Sequence, residues 1–314
     1  MTSPPRLLVR LANALALSVT VLSWYAPARA VEPALSKGKV LLEKYAELKA
    51  ELKKNHFGLP IHVESKEQGR SLHGEVFGVV HYPYARLGSA LESPASWCGI
   101  APLDPNIKAC TFRNTDDQCQ LTLYSGRKYY QPPEEVYQLK FRFNLVAGTP
   151  EYMGIFLAAD KGPLRTTNYR ILFEAVPLDG ERTFVHFSYA YRNSLLAEML
   201  TGVYFATLGH DKKGFTVVGR DENGDPEYVG GVRGAVERNA VRYYLALLAY
   251  LDTMALPADQ RFEKRMNEWF DLTDRYPLQL YEMDREQYLA DKRREHRDQL
   301  RLQDESDRSG AGGR

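Results

Sequence analysis

The 314 residues carry 41 basic and 40 acidic side chains, a formal charge of +1 that excludes a chain built to hold nucleic-acid phosphates. With 44% hydrophobic and 26% charged residues, the composition is that of a globular protein with length for one large domain or two ordinary ones.

The first thirty residues read as a leader. Arg6 and Arg10 form a basic start, Leu11 to Leu22 is an apolar run too short to span a bilayer, and Ala28-Arg29-Ala30 is a small-residue cleavage site. A cut after Ala30 makes the mature protein periplasmic or secreted, and losing three arginines takes the charge to 1 − 3 = −2. No later stretch is long and apolar enough to span a membrane, so the expected partners include neither a bilayer core nor a nucleic acid.

Leu35 to Asn55 is a helix with Leu41, Leu42, Tyr45, Leu48 and Leu52 on one face. Ile61 to Lys66 and Leu72 to His81 are strands of a hairpin around Gln68-Gly69, and short helices broken at Pro94 follow between Tyr84 and Ile100. From Ile107 the period is two for some eighty residues. Strands are expected at Ile107 to Arg113, Gln118 to Tyr124, Val136 to Val146, Tyr152 to Ala158, Tyr169 to Val176 and Arg182 to Tyr191, an antiparallel meander. In the third of these Tyr137, Leu139, Phe141, Phe143 and Leu145 point one way. In the last, Val185, Phe187, Tyr189 and Tyr191 point inward, with His186 and Ser188 toward water.

Export allows a disulfide. Cys98 and Cys110 flank a turn-rich loop and form the better pair. If Arg113 opposes Gln118, Cys119 faces Phe112 and lies diagonal to Cys110 at about 7 Å, too far for easy bridging, which leaves Cys119 a buried thiol.

Asn193 to Leu208 is apolar and helical at its start, with Gly202 in its middle, and a last hairpin turns at Asn223-Gly224. Gly230 to Met254 is a long helix with Val232, Val236, Tyr243, Leu247, Leu251 and Met254 on one face and Arg233, Glu237, Arg238 and Arg242 mostly on the other. Helices from Arg261 to Thr273 and from Leu280 to about Gln303 follow, and Ser309 to Arg314 has the composition of a disordered tail.

This element order resembles the START-like, helix-grip superfamily of lipid-transfer and polyketide-cyclase-type domains. The resemblance is carried by HYPYARLGSALESPASWC, by NIKAC and by GAVERNAVRYYLALLAYLD. It implies an α+β fold in which a curved antiparallel sheet grips the long helix. The domains would be 1–30 leader, 31–58 helix, 59–254 helix grip, and 255–314 charged helices and tail. It also implies an apolar or amphipathic ligand between sheet and helix, and the residues expected to hold it are Phe141, Phe143, Phe187, Tyr189, Tyr191, Tyr243, Leu247 and Tyr250. Small Ala240, Ala246 and Ala249 would leave room for it.

Other groupings are weaker. His73, Glu75 and His81 share one side of a strand but a solvated one, Arg238 and Arg242 form a charged pair one turn apart, and Asp221 to Asp225 lacks the distal acidic residue of a calcium loop. No nucleotide, nucleophile-elbow or zinc-protease motif is present, so no cofactor or metal is expected. Besides ligand binding, the alternatives are cyclase- or hydrolase-type chemistry in the same cavity, or a protein partner held by the charged helix 280–303, whose plainest reading is a solvated tail.

Overall fold

The computed structural model describes residues 28–114, 118–199 and 212–311. The leader's apolar run and Gly202 lie outside the described residues. Helix α1 (Ala28–Lys53) opens the described chain and leads to strands β1 (Ile61–Gln68) and β2 (Ser71–Val80). Helices α2 (Tyr84–Leu91) and α3 (Pro94–Ile100) then carry the chain across to β3 (Ile107–Asn114). The meander continues through β4 (Cys119–Ser125), β5 (Tyr137–Gly148), β6 (Met153–Lys161), β7 (Thr167–Pro177) and β8 (Thr183–Arg192). A small hairpin, β9 (Val217–Arg220) and β10 (Pro226–Tyr228), precedes helices α4 (Gly231–Asp252), α5 (Ala258–Asp274) and α6 (Arg285–Ala311).

The eight strands form one antiparallel sheet in the order β1-β2-β8-β7-β6-β5-β4-β3, so β2 closes onto the last strand and β3 is left at the far edge. The curved sheet packs around α4, an α+β helix-grip arrangement. Two glycines set how close the grip is. A Cβ at Gly74 would come 2.9 Å from the Val236 carbonyl oxygen, and one at Gly78 would collide with the Tyr244 hydroxyl. The helix backbone therefore rests directly on β2. Gly74→Val is expected to destabilise by about 1 to 3 kcal/mol or more through overpacking, read as a shift in the urea midpoint; a change within 0.5 kcal/mol would refute the close approach.

The expected wet face of the sheet is not wet at its centre. Ala34, Leu41, Leu48 and Leu52 of α1 pack on Phe77, Tyr152, Val176 and Phe184, while Leu42 is exposed. His186, expected outward toward water, is consequently buried under α1. It stacks on Phe77 at 4.3 Å and bonds Glu174 through Nδ1 at 2.8 Å, and the Tyr152 hydroxyl donates to the other Glu174 oxygen at 2.5 Å. Burial alone would raise the Glu174 carboxyl, but the His186 and Tyr152 hydrogen bonds outweigh it and hold it below its ordinary range. A carboxyl depressed in the folded state stabilises fully above its unfolded value of about 4.3, and that stability is lost as pH falls through the folded value. Melting temperature should therefore drop less between pH 6 and pH 3 in Glu174→Gln than in the wild type; equal slopes would contradict the network's role.

Three sequence expectations need correction here. The alternation in β5 holds for Leu139, Phe141 and Phe143, but Tyr137 and Leu145 are exposed. A register shift between Leu145 and Ala147 turns Ala147 toward α1. In the β3–β4 pair Asn114, not Phe112, faces Cys119, and Cys110 faces Leu123. Cys119 is half-buried, and burial raises its thiol pKa. Cys98 and Cys110 are bridged, as their loop suggested.

The charged face of α4 is buried as well. The Glu237 carboxylate is 0% exposed and accepts hydrogen bonds from Ser65 Oγ, Thr216 Oγ1 and the backbone N–H groups of Phe215 and Thr216. Arg238 donates to the Lys213 carbonyl, and Arg242 pairs with Glu282. These partners come from β1 at the sheet edge, the segment leading into β9 and the turn before α6, which together close over the charged face of the helix.

Helix α6 is no solvated tail. Its Gln299 side chain accepts from the Cys110 N–H at 2.8 Å and donates to the Cys98 carbonyl at 3.1 Å. Gln303 likewise accepts from the Phe112 N–H and donates to its carbonyl, both at 3.0 Å. Two glutamine amides thus satisfy the free edge of β3 as a ninth strand would. Lower on the helix, Lys292 and Glu295 are buried, with Glu295 between Lys292 and Lys108. The helix continues through Ser309 to Ala311.

Candidate functional site: an aromatic cavity between sheet and helix

Alternation along β5, β7 and β8 sends Leu139 and Phe141, then Tyr169 and Ile171, then Tyr189 and Tyr191 to the gripping face, and α4 presents Tyr243 against them. The rings pack as a continuous wall. Tyr169 stacks on Tyr191 at 5.3 Å, meets Phe141 edge-on at 6.4 Å and lies 6.3 Å from Tyr189, and Tyr189 sits 5.9 Å from Tyr243. The rings do not fill the space they enclose. A cavity of about 420 Å³ remains, inside the roughly 300 to 1,000 Å³ range of small-molecule sites.

At its rim the cavity is polar but uncharged: Asn106, Ser125, Thr166, Asn193 and Asn239 line it, and no Asp, Glu, Lys, Arg or His does among the described residues. Tyr169 is satisfied within the protein, its hydroxyl 2.7 Å from Thr166 Oγ1, which in turn donates to the Pro163 carbonyl at 2.5 Å. That pair fixes the β6–β7 loop, where Leu164 and Arg165 hold positive φ, as does Asn168 at the start of β7.

The hydroxyls of Tyr189, Tyr191 and Tyr243 have no hydrogen-bond partner among the described residues. Burial raises the Tyr189 and Tyr243 pKa values far above 10, each further disfavoured as phenolate by neighbouring tyrosines and Asp104. Burial raises Tyr191 too. All three are therefore neutral phenols whose hydroxyls are free to donate to a molecule in the cavity.

Of the residues expected to hold a ligand, Phe141, Tyr189, Tyr191 and Tyr243 line this cavity. Phe143, Phe187 and Leu247 pack in the core beside it, as do Ala240, Ala246 and Ala249. Tyr250 lines a separate cavity near the end of α4. Sequence reasoning missed Tyr169, though it sits in phase with Ile171 and Phe173, and the rim asparagines, which no pattern singles out.

His81 is exposed, and no cluster suited to a metal ion exists among the described residues. Asp221 Oδ1 accepts the Asn223 and Asp225 N–H groups, a hairpin turn. No described helix is long and apolar enough to cross a membrane.

No protein-family model matches the sequence, and no curated protein matches it. Among solved structures, the chain is similar to a START superfamily protein from Mycobacterium smegmatis at 18% identity, covering 44% of this chain and 90% of that one, with a TM-score of 0.29. It is similar to human StAR-related lipid transfer protein 5 at 11% identity, covering 56% and 90%, with a TM-score of 0.29. A Streptomyces aromatase/cyclase is similar at 16% identity, covering 43% and 86%, with a TM-score of 0.31.

Proposed function

We propose that the mature protein, released from its leader by cleavage after Ala30, acts outside the cytoplasm by binding a neutral, ring-containing amphipathic small molecule in the cavity between sheet and α4. The observation that carries this reading is the set of three phenol hydroxyls, on Tyr189, Tyr191 and Tyr243, which bond no described residue and line about 420 Å³ of space. A ligand bearing keto, ether or hydroxyl oxygens supplies those acceptors, and its carbon skeleton covers the rings. An uncharged lining favours a ligand without net charge, since an unpaired ion in this setting would lose hydration without compensation. Binding is favoured over cyclase- or hydrolase-type catalysis because the titratable groups lining the cavity are phenols with raised pKa values, which serve poorly as general bases near pH 7.

Protein isolated from its native host should give a mass beginning at Val31 and release an apolar compound on organic extraction. Asn239→Trp, which projects from α4 into the cavity, should exclude that compound with a melting temperature close to wild type. Leu247→Trp, in packed core, should instead lose about 1 to 3 kcal/mol of stability or more. Retention of the compound by Asn239→Trp, or an empty wild-type protein indifferent to lipid-like and polycyclic compounds, would sink the proposal.

A further inference from the structure

A second cavity, of about 310 Å³, lies near the C-terminal end of α4 among α3, α5 and α6. Its charge is unbalanced. Lys108 and Lys292 are matched by Glu295, which both contact, and by buried Asp104 beside them. Arg261 and Arg265 have no ion-pair partner among the described residues. Arg265 is only 8% exposed; Nε donates to Thr253 Oγ1 at 3.0 Å, and the guanidinium lies over the Tyr250 ring at 4.2 Å. Its Nη1 packs against Gly99, where a Cβ would meet Tyr250 at 2.9 Å and Nη1 at 3.0 Å, so the glycine is what lets the guanidinium lie this close to α3 while it lines the cavity. Arg261 donates through Nε to the Leu256 carbonyl at 2.8 Å and lines the same space.

A buried guanidinium without a carboxylate is costly unless something external completes it. The strain registers in Arg265 itself, whose pKa burial pulls down to about 10, with Arg261 adding to the fall. The opposite wall is flat and apolar: Phe262 stacks on His296 at 3.7 Å, and burial, then the Arg265 charge, lower the His296 pKa.

We infer that this cavity is a binding site for a small organic anion, whose carboxylate or phosphate is held by Arg265 and Arg261 while its body lies against Tyr250 and Phe262. The site is distinct from the aromatic cavity, and neither depends on the other's ligand. A planar fork with two unused N–H edges suits a two-oxygen anion better than a point charge does.

The test is calorimetric titration at pH 7 with benzoate, phenyl phosphate and, as the neutral control, benzyl alcohol. At least one anion should bind with a stoichiometry of one and benzyl alcohol should not. Arg265→Lys, which keeps the charge and loses the fork, should weaken binding about tenfold or more, and half-exposed Arg261→Gln severalfold. Asn239→Trp, in the other cavity, should leave the affinity unchanged. Sedimentation with phosphatidylglycerol vesicles separates the two sources of such a group: Arg265-dependent pelleting without affinity for soluble anions assigns the site to a lipid phosphate. If Arg265→Lys does not fold, Arg261→Gln alone decides. Wild-type protein that binds none of the anions and no vesicles, equal binding of benzyl alcohol, or affinities indifferent to the folded arginine variants would overturn the inference.

Discussion

Replacing Glu295 by alanine is expected to lower the melting temperature by roughly 10 °C. Lys108 is 0% exposed and Glu295 2%, and the pair closes at 2.8 Å, with Lys292 on the other carboxylate oxygen at 2.6 Å. Burial lowers the Lys108 pKa even with the carboxylate beside it. Without Glu295 two ammonium groups would share the interior, their hydrogen bonds reduced to backbone carbonyls, Pro105 for Lys108 and Asp104 and Ile107 for Lys292, with the Asp104 carboxylate the one acidic group left beside them among the described residues. Removing one member of such a buried network costs about 3 to 5 kcal/mol. For a chain of this length each kcal/mol corresponds to about 2 to 4 °C. Much of the loss should return in the double variant Glu295→Ala/Lys108→Met, because the penalty lies in the stranded charge and not in the absent attraction. Thermal unfolding followed by circular dichroism measures both. A single variant within 1 kcal/mol of wild type would show that water reaches these lysines.

Reducing the Cys98–Cys110 bridge should cost about 3 kcal/mol, the entropy of freeing a loop whose ends are 12 residues apart. The loss should exceed that in combination with Gln299→Ala, since Gln299 ties the Cys110 N–H and the Cys98 carbonyl together through one side chain. A coupling energy between the disulfide and Gln299 is thus expected from a double-mutant cycle, and strict additivity would argue against it. Peptide mapping without reductant should find Cys98 joined to Cys110 and a slowly alkylated Cys119, whose thiol pKa burial raises.

The strands were legible because each carries its own period. Leu139, Phe141 and Phe143 announce a buried face to any reader of the sequence, and Gln68-Gly69 and Asn223-Gly224 announce the turns. The aromatic wall was legible for the same reason, through Tyr189, Tyr191 and Phe141. What stayed hidden depends on partners far along the chain. Glu237, Arg238 and Arg242 read as a wet helix face because nothing local reveals that Ser65, Thr216, Lys213 and Glu282 will close over them. His186 read as exposed because the stripe of α1 names no target. Helix α6 was hardest. It docks mainly through amides and paired charges, so the apolar periodicity that flags a buried helix is weak where Gln299 and Gln303 make their contacts.

The way α6 clasps β3 also dictates when the molecule can finish folding. Cys110 and Gln299 are 189 positions apart, and Phe112 and Gln303 are 191 apart. A chain folding from its N-terminal side can pair β1 with β2 and run the meander out to β8, yet the β3 rail of the sheet stays open until the segment through Gln303 is free. Contacts of such long sequence separation form late, after most of the loop entropy has been lost. During that interval β3 offers unpaired N–H and carbonyl groups to any neighbouring chain, and a truncated or stalled product would keep offering them. Arrival of α6, rather than completion of the sheet's own strands, is the event that closes this edge.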